Sequence, residues 1–166
     1  MNWVQVLALG GGLFALLAFI HFAVDWIFQS HAEAMAKHNN PKIRAKHCLI
    51  YTLGFVPVLY IFGFTFWEWV IGLNILFWSH FAEDTYVPVF LWAKYIRKPP
   101  EMVEPWKESY TQEDGTISFR VHPPNPKRGF GVWVQTPMGK ILMIAIDQII
   151  HLAFLFPIVW MALRHI

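Results

Sequence analysis

Three pairs of ionisable residues lie inside otherwise apolar stretches of this sequence. Each pair combines a histidine and an aspartate that are four positions apart. On a helix, residues four apart share one face and lie roughly 6 Å from each other. Because an ionisable residue inside an apolar span is costly, each pair indicates a functional role. The pairs are His21 with Asp25, His80 with Asp84, and Asp147 with His151.

The order of the two residue types is reversed in the last pair. Histidine precedes aspartate in the first two pairs and follows it in the third. If the third helix runs in the opposite direction, all three present a carboxylate toward the cytoplasm and an imidazole about 6 Å deeper, given a rise of about 1.5 Å per residue. The pattern therefore predicts one shared centre. His47 begins another apolar stretch and is expected to reach the same level.

Imidazole nitrogens and carboxylate oxygens that converge on one point are ligands for a divalent metal ion. Zinc is the favoured ion, and manganese and iron are alternatives. Asp84 would complete a second ion or act as general base, and His47 would bind metal or protonate a leaving group. Glu83 faces about 100° away from Asp84, which favours contact with solvent or lipid headgroups. The predicted metal ligands are His21, Asp25, His80, Asp84, Asp147 and His151.

The elements that carry these residues are predicted to be transmembrane helices. The chain is 56% hydrophobic and 14% charged, whereas a soluble domain carries about 25% charged residues. A span needs about 20 mostly apolar residues, and the stretches 3–29, 47–64, 67–87 and 140–163 qualify. The sequence predicts an all-α membrane protein, a single domain over residues 1–166 with four transmembrane helices.

The basic residues indicate how these helices are oriented. The polar segments 30–46 and 94–140 hold 12 of the 13 Lys and Arg residues. The positive-inside rule places both segments in the cytoplasm and both termini on the other side of the inner membrane. We expect the first helix to continue through residues 31–37. A net charge of +2 gives no indication of nucleic-acid binding.

Residues 97–138 form a proline-rich polar insert before the last helix. Within it, Asp114-Gly115 separates two short runs, which predicts a small β-hairpin. Residues 131–135 are expected to add a third strand. Thr136 followed by Pro137 predicts the start of the last helix.

In their order along the chain, these motifs resemble an uncharacterised family of small bacterial and phage membrane proteins, known only as a domain of unknown function. The resemblance covers nearly the whole chain outside residues 97–138. More distantly, the chain is similar to membrane-bound metal-dependent hydrolases, whose helices also carry His-x-x-x-Asp pairs. The matching pieces are His21-Phe-Ala-Val-Asp25-Trp-Ile-Phe-Gln29, Lys46-His47, His80-Phe-Ala-Glu-Asp84 and Asp147-Gln148-Ile-Ile-His151.

The expected function is a metal-dependent hydrolase at the cytoplasmic face of the membrane, with a phosphoester or lipid-linked substrate. One alternative is a non-catalytic subunit of a larger membrane or phage assembly, in which the metal or the polar cluster is structural and other membrane proteins are partners. A second alternative is a b-type haem held by two axial imidazoles, which the neighbouring carboxylates argue against. The lipid bilayer is a partner in each case.

Overall fold

The computed structural model describes residues 2–166, which form two compact units. The first unit contains the described residues up to Val87 together with Gln148–Ile166. The second unit is Pro88–Asp147, so it extends on both sides of the predicted insert. Each unit has its own apolar core.

The first unit begins with α1 (Trp3–Phe22), which continues as a π-helical turn over Ala23–Ile27. A second helix, α2 (His31–Ala36), then starts at Ser30. The prediction that the first helix continues through residue 37 was wrong, because Ser30 and Glu33 form a reciprocal capping box that begins a new helix. The chain therefore changes direction before it reaches Lys37.

Three further helices complete the part of the first unit that precedes the insert. Asn40 caps α3 (Pro41–Gly54), and Thr65 caps α5 (Phe66–Glu83). The short helix α4 (Val56–Ile61) lies between them and has Pro57 in its first turn. Proline lacks the N–H that a continuous helix needs, so α3 and α4 are separate.

Two helical stretches of the described chain, Trp3–Ile27 and Pro137–Leu163, are long and apolar enough to cross a membrane. The prediction of four such helices was wrong for residues 47–64 and 67–87. The former is divided at Phe55, and the latter contains several polar and ionisable side chains among its apolar ones. Only 17% of the apolar window of each qualifying helix is buried, so most of its side chains face outward.

The core of the first unit is made of large apolar side chains from α1, α3, α4, α5 and the last part of the chain. The last part of the chain contributes the end of α9 (Pro137–Ala153) and α10 (Phe156–Leu163). Gly54 packs directly against Val24, which holds α3 against the π-helical turn. The fully buried members are Leu17, Phe55, Leu59, Leu76, Leu155 and Ile158.

The second unit contains the predicted hairpin. Strands β1 (Trp106–Thr111) and β2 (Ile117–His122) pair antiparallel, with Trp106 opposite His122. Gly115 has a φ of +80° in the turn, a conformation that glycine adopts without strain. The hairpin prediction is confirmed.

Helices account for the rest of the second unit. The predicted third strand at 131–135 was wrong, because Asn125 caps a helix there that has Pro126 at its first position. The predicted cap of the last helix is confirmed, since the Thr136 hydroxyl accepts from the Gly139 amide at 3.0 Å. The helices are α6 (Val87–Trp92), a π-helical turn (Ala93–Arg97), α7 (Pro100–Val103), α8 (Pro126–Trp133) and the start of α9.

Candidate metal centre

Three elements of the first unit bring two histidines and two aspartates together. Asp25 comes from the π-helical turn, His47 from α3, and His80 and Asp84 from the end of α5. All four side chains are buried. A π-helical turn carries one more residue than an α-helical turn, and such turns are frequent at functional sites. We call these four residues the donor set.

The atoms of the donor set are spaced like the ligands of one ion. His47 Nε2 lies 2.9 Å from both Asp25 Oδ1 and His80 Nε2, and the latter two atoms are 3.4 Å apart. Asp84 Oδ2 lies 3.7 Å from His47 Nε2 and 3.6 Å from His80 Nε2. Ligand distances of 2.0–2.1 Å in tetrahedral geometry place donors about 3.3 Å from each other. The five measured distances scatter around this value. Asp25, His47 and His80 form one group of potential ligands for a divalent ion, and Asp84 adjoins this group through both imidazoles.

Two buried atoms of the donor set have no hydrogen-bond partner among residues 2–166, namely Asp84 Oδ2 and His80 Nδ1. A buried polar atom without a partner is costly and calls for an explanation. A metal ion would accept the lone pair of Asp84 Oδ2. The ring of Tyr51 stacks on His80 at 3.8 Å with an angle of 5°, and this contact fixes the imidazole plane.

Lys37 is a member of the site that was not predicted from the sequence, where it was expected at the end of a continued first helix. Its Nζ lies 2.8 Å from Asp84 Oδ1, 3.4 Å from Asp25 Oδ1 and 3.2 Å from His47 Nε2. Burial alone would lower the pKa of Lys37, but the two carboxylates outweigh burial and raise it. The ammonium group is therefore charged at neutral pH and compensates the carboxylates.

The sequence contained a signal for this position of Lys37. The Ser30-x-x-Glu33 capping box starts a short helix, and Asn39-Asn40-Pro41 starts the next one. Two helix starts only ten residues apart indicate a chain that folds back on itself.

A second group of potential ligands adjoins the donor set. His80, Glu83 and His151 each offer a ligand atom within 4.8 Å of the others, and Cys48 forms a comparable group with His80 and Asp84. His151 Nε2 lies 3.1 Å from Glu83 Oε2. The expectation that Glu83 faces solvent or headgroups was wrong, because it is 3% exposed. Helix α5 contacts α3 on one side and His151 on another, so two of its faces are buried.

His21 is buried beside the donor set but outside these groups of potential ligands in the described chain. Its Nε2 lies 2.9 Å from Gln148 Oε1, and its Nδ1 lies 3.1 Å from the Tyr51 hydroxyl. An amide oxygen only accepts, so Nε2 donates and Nδ1 accepts from Tyr51. This contact positions Tyr51, which in turn stacks on His80. The role of His21 as a metal ligand stays a prediction.

Asp147 is half-buried and is the last residue of the second unit. Its predicted role as a metal ligand also stays a prediction. Of the six predicted metal ligands, the structure brings Asp25, His80 and Asp84 together in the donor set and places His151 in the adjoining group.

A family model described as "Protein of unknown function (DUF3307)" matches residues 13–165, and the chain belongs to this family. The match covers every residue of the donor set and of the adjoining group. It confirms the predicted membership in an uncharacterised family. Neither the curated proteins nor the solved structures contain a match to this chain.

Proposed function

We propose that this member of the DUF3307 family is a metal-dependent hydrolase of phosphoesters, integral to the inner membrane and active at its cytoplasmic face. The observation that carries the proposal is the donor set, whose five measured distances of 2.9–3.7 Å suit one divalent ion. The membrane location is supported by the two mostly exposed apolar helices and by the concentration of basic residues in two segments.

Two nitrogen and two oxygen donors favour zinc, and manganese or iron would accept the same set. Asp25, His47, His80 and Asp84 would hold the ion. When bound, a divalent ion lowers the pKa of a water molecule toward 7 and polarises a phosphoryl oxygen.

The adjoining pair Glu83 and His151 would move protons in this reaction. The imidazole rings of His151 and His80 have centroids 4.6 Å apart, so the pair lies next to the donor set. Glu83 Oε2 would orient the His151 ring, which would take a proton from the attacking water and return it to the leaving alcohol. The water oxygen bonds to phosphorus as the ester P–O bond breaks. In this arrangement Asp84 and His47, predicted as base and acid, serve as ligands.

The same distances argue against the haem alternative. The Nε2 atoms of His47 and His80 are only 2.9 Å apart, which leaves no space for a macrocycle between them. A single small ion needs no such space.

One observation favours the second candidate, a non-catalytic membrane subunit with a structural polar cluster. The Lys37 ammonium already pairs with both aspartates of the donor set. A cluster compensated in this way could hold helices together without an ion. The experiment that tests the hydrolase must therefore separate metal binding from activity.

The test uses the detergent-purified protein, elemental analysis, and hydrolysis of p-nitrophenyl phosphate and of phosphatidic acid in vesicles. We expect one or two divalent ions per chain and metal-dependent release of phosphate. His80→Gln should lose both, whereas His165→Gln, at the partly exposed pair with Glu68, should keep both. An ion without turnover of either substrate would favour the subunit. Wild-type protein that binds no divalent ion would refute the metal centre.

A further inference from the structure

Arg44 is a buried arginine next to the donor set. It lies on α3, three residues before His47, and is 8% exposed. Its Nε and Nη1 atoms are shielded from solvent and have no hydrogen-bond partner in the described part of the chain. No carboxylate between residues 2 and 166 lies within 4.0 Å of its guanidinium group.

The local environment of Arg44 does not compensate its charge. A guanidinium group stays protonated in proteins, and a buried charge without a partner is strongly unfavourable. The Arg44 Cζ atom lies 4.5 Å from the centroid of the Phe81 ring. This cation–π contact is weaker than a charged hydrogen bond and leaves the N–H groups unsatisfied. Two buried donors on a cation are suited to an anion that residues 2–166 do not supply.

The neighbours of Arg44 place such an anion beside the donor set. Phe81 follows His80 directly and precedes Asp84 by three residues. The segment after α2 adds Lys37, which pairs with Asp84 Oδ1, and His38, whose Nδ1 donates to the Asp84 backbone oxygen at 2.8 Å. Two permanent cations, Lys37 and Arg44, therefore approach this end of the donor set.

We propose that Arg44 and Lys37 bind the phosphate group of a dianionic phosphate monoester next to the donor set, an inference that rests on the metal-dependent function above. Arg44 would donate from Nε and Nη1 to two phosphate oxygens, the geometry in which arginine binds phosphate most strongly. Lys37 would shift from the carboxylates to the phosphate when a divalent ion takes its place.

The charge balance favours a monoester over a diester. A divalent ion cancels Asp25 and Asp84, which leaves the positive charges of Lys37 and Arg44. Glu83 Oε2 contacts the His151 ring at 3.1 Å, and its charge is counted with that ring and not with the two cations that would hold the phosphate. A monoester dianion would neutralise the two remaining charges, whereas a diester monoanion would leave one of them buried without compensation.

The first experiment measures binding of methyl phosphate and dimethyl phosphate to zinc-loaded wild-type protein by calorimetry in detergent. We expect methyl phosphate to bind at least roughly tenfold more tightly, because it makes a second charge-assisted interaction. Equal affinities, or no binding of either compound, would overturn the proposal. This comparison needs no variant.

The second experiment assigns the site to Arg44. Arg44→Gln should weaken methyl phosphate binding at least roughly tenfold and leave zinc stoichiometry unchanged. Arg44→Lys keeps the charge and should retain part of the affinity, which provides a readout if the glutamine variant does not fold. Arg120→Gln, at an exposed arginine of the hairpin, is the matched control and should bind as wild type. Wild-type affinity in both Arg44 variants would refute the assignment.

Two sources of the phosphate can be separated. Vesicles with phosphatidic acid present a lipid monoester, and vesicles with phosphatidylglycerol present a diester. Arg44-dependent binding to the former assigns a lipid substrate, and binding of methyl phosphate alone assigns a soluble one. Because binding is measured without turnover, Arg44-dependent binding without hydrolysis would refute the hydrolase and keep the anion site. Hydrolysis that persists in a folded Arg44→Gln variant would refute the anion site and keep the hydrolase.

Discussion

Both units contain a histidine that contacts a carboxylate at the same distance. In the first unit His47 Nε2 lies 2.9 Å from Asp25 Oδ1, and in the second His122 Nε2 lies 2.9 Å from Glu108 Oε2. The first pair is buried, whereas the side chains of the second pair are 27% and 51% exposed. Water solvates the second pair, and such pairs contribute about 0–1 kcal/mol. The comparison teaches that burial, and not the contact distance, separates the candidate site from an ordinary surface pair.

Burial also explains why the first unit needs compensating groups. Desolvating two carboxylates is costly unless they are paired. Lys37 supplies one cation, and the proposed metal ion would supply two more charges. The hairpin of the second unit needs no such compensation.

The largest effect is expected on zinc affinity, when one side chain of the donor set is removed. Asp25→Asn should lower zinc affinity roughly 1,000-fold, or about 4 kcal/mol, because four ligands share a binding free energy of about 10–16 kcal/mol. Glu108→Gln in the hairpin should leave zinc affinity unchanged. Competition with a chelator of known affinity measures both variants. Zinc affinity in Asp25→Asn within threefold of wild type would contradict the donor set.

A somewhat smaller effect is expected from removing the ammonium group of Lys37. Lys37→Met should lower the free energy of unfolding of metal-free protein by about 3 kcal/mol, because two buried carboxylates lose their partner. Lys46→Met, in an exposed pair with Glu33, should change it by less than about 0.5 kcal/mol. Denaturant unfolding in detergent, with chelator and with zinc, measures the effect. The difference should shrink when zinc is present.

The pH dependence of the Lys37 effect follows from its pKa, which the two carboxylates raise despite burial. The stabilisation is complete below the unfolded-state pKa of about 10.4 and is lost only as the pH rises through the higher folded-state value. The difference between wild type and Lys37→Met should therefore be constant from about pH 6 to pH 9. A difference that disappears below pH 9 would show that Lys37 is not held by these carboxylates.

A smaller effect is expected from a packing change confined to the second unit. A Cβ atom at Gly129 would collide with the backbone carbonyl of Glu101, whereas one at Gly131 would meet nothing within 4 Å. Gly129→Ala should destabilise this unit by about 2 kcal/mol, and Gly131→Ala should not. The rate of limited proteolysis within residues 88–147 measures the stability of this unit. Elemental analysis should find the zinc content unchanged in both variants. Loss of zinc in Gly129→Ala would show that the centre depends on the second unit.

The smallest effect concerns an exposed cation–π contact. Arg128 Cζ lies 3.1 Å from the centroid of the Trp106 ring, which stacks on His122 at 3.9 Å. Arg128→Gln should lower the free energy of unfolding by about 0.5–1 kcal/mol. Arg120 Cζ lies 5.5 Å from the Tyr110 centroid, so Arg120→Gln should lower it by less. Near-UV circular dichroism of the tryptophan signal during thermal unfolding measures both. Equal effects would show that ring distance is unimportant here.

Local sequence patterns predicted much of this architecture. The i, i+4 spacing put His80 and Asp84 on one face, and Asp114-Gly115 located the hairpin turn. Both features depend on residues close together in the chain, where helix period and turn chemistry decide the outcome. The helix starts at Ser30 and Asn125 also have local signals, a capping box and an asparagine followed by proline, but these two starts were not predicted.

The missed parts of the site depend on contacts between distant residues. Lys37 reaches the donor set because the chain folds back after Ser30, and a helical continuation would have carried it away. Glu83 is buried because α5 is covered on two faces, which its own periodicity does not reveal. His21 shares the spacing of the other pairs, yet its ring nitrogens contact Tyr51 and Gln148. Spacing along the helix shows which residues share a face, but it does not determine which residues of other helices they contact.

The contact between the two imidazoles of the donor set has a consequence for how an ion would enter. His47 Nε2 and His80 Nε2 lie 2.9 Å apart, so they attract each other only if a hydrogen atom lies between them. An incoming cation must expel that hydrogen, because ligand nitrogens bind metal through their lone pairs. Loading the centre would therefore move that hydrogen to the other nitrogen of the same ring, so one imidazole would bind the ion as its Nδ1–H tautomer.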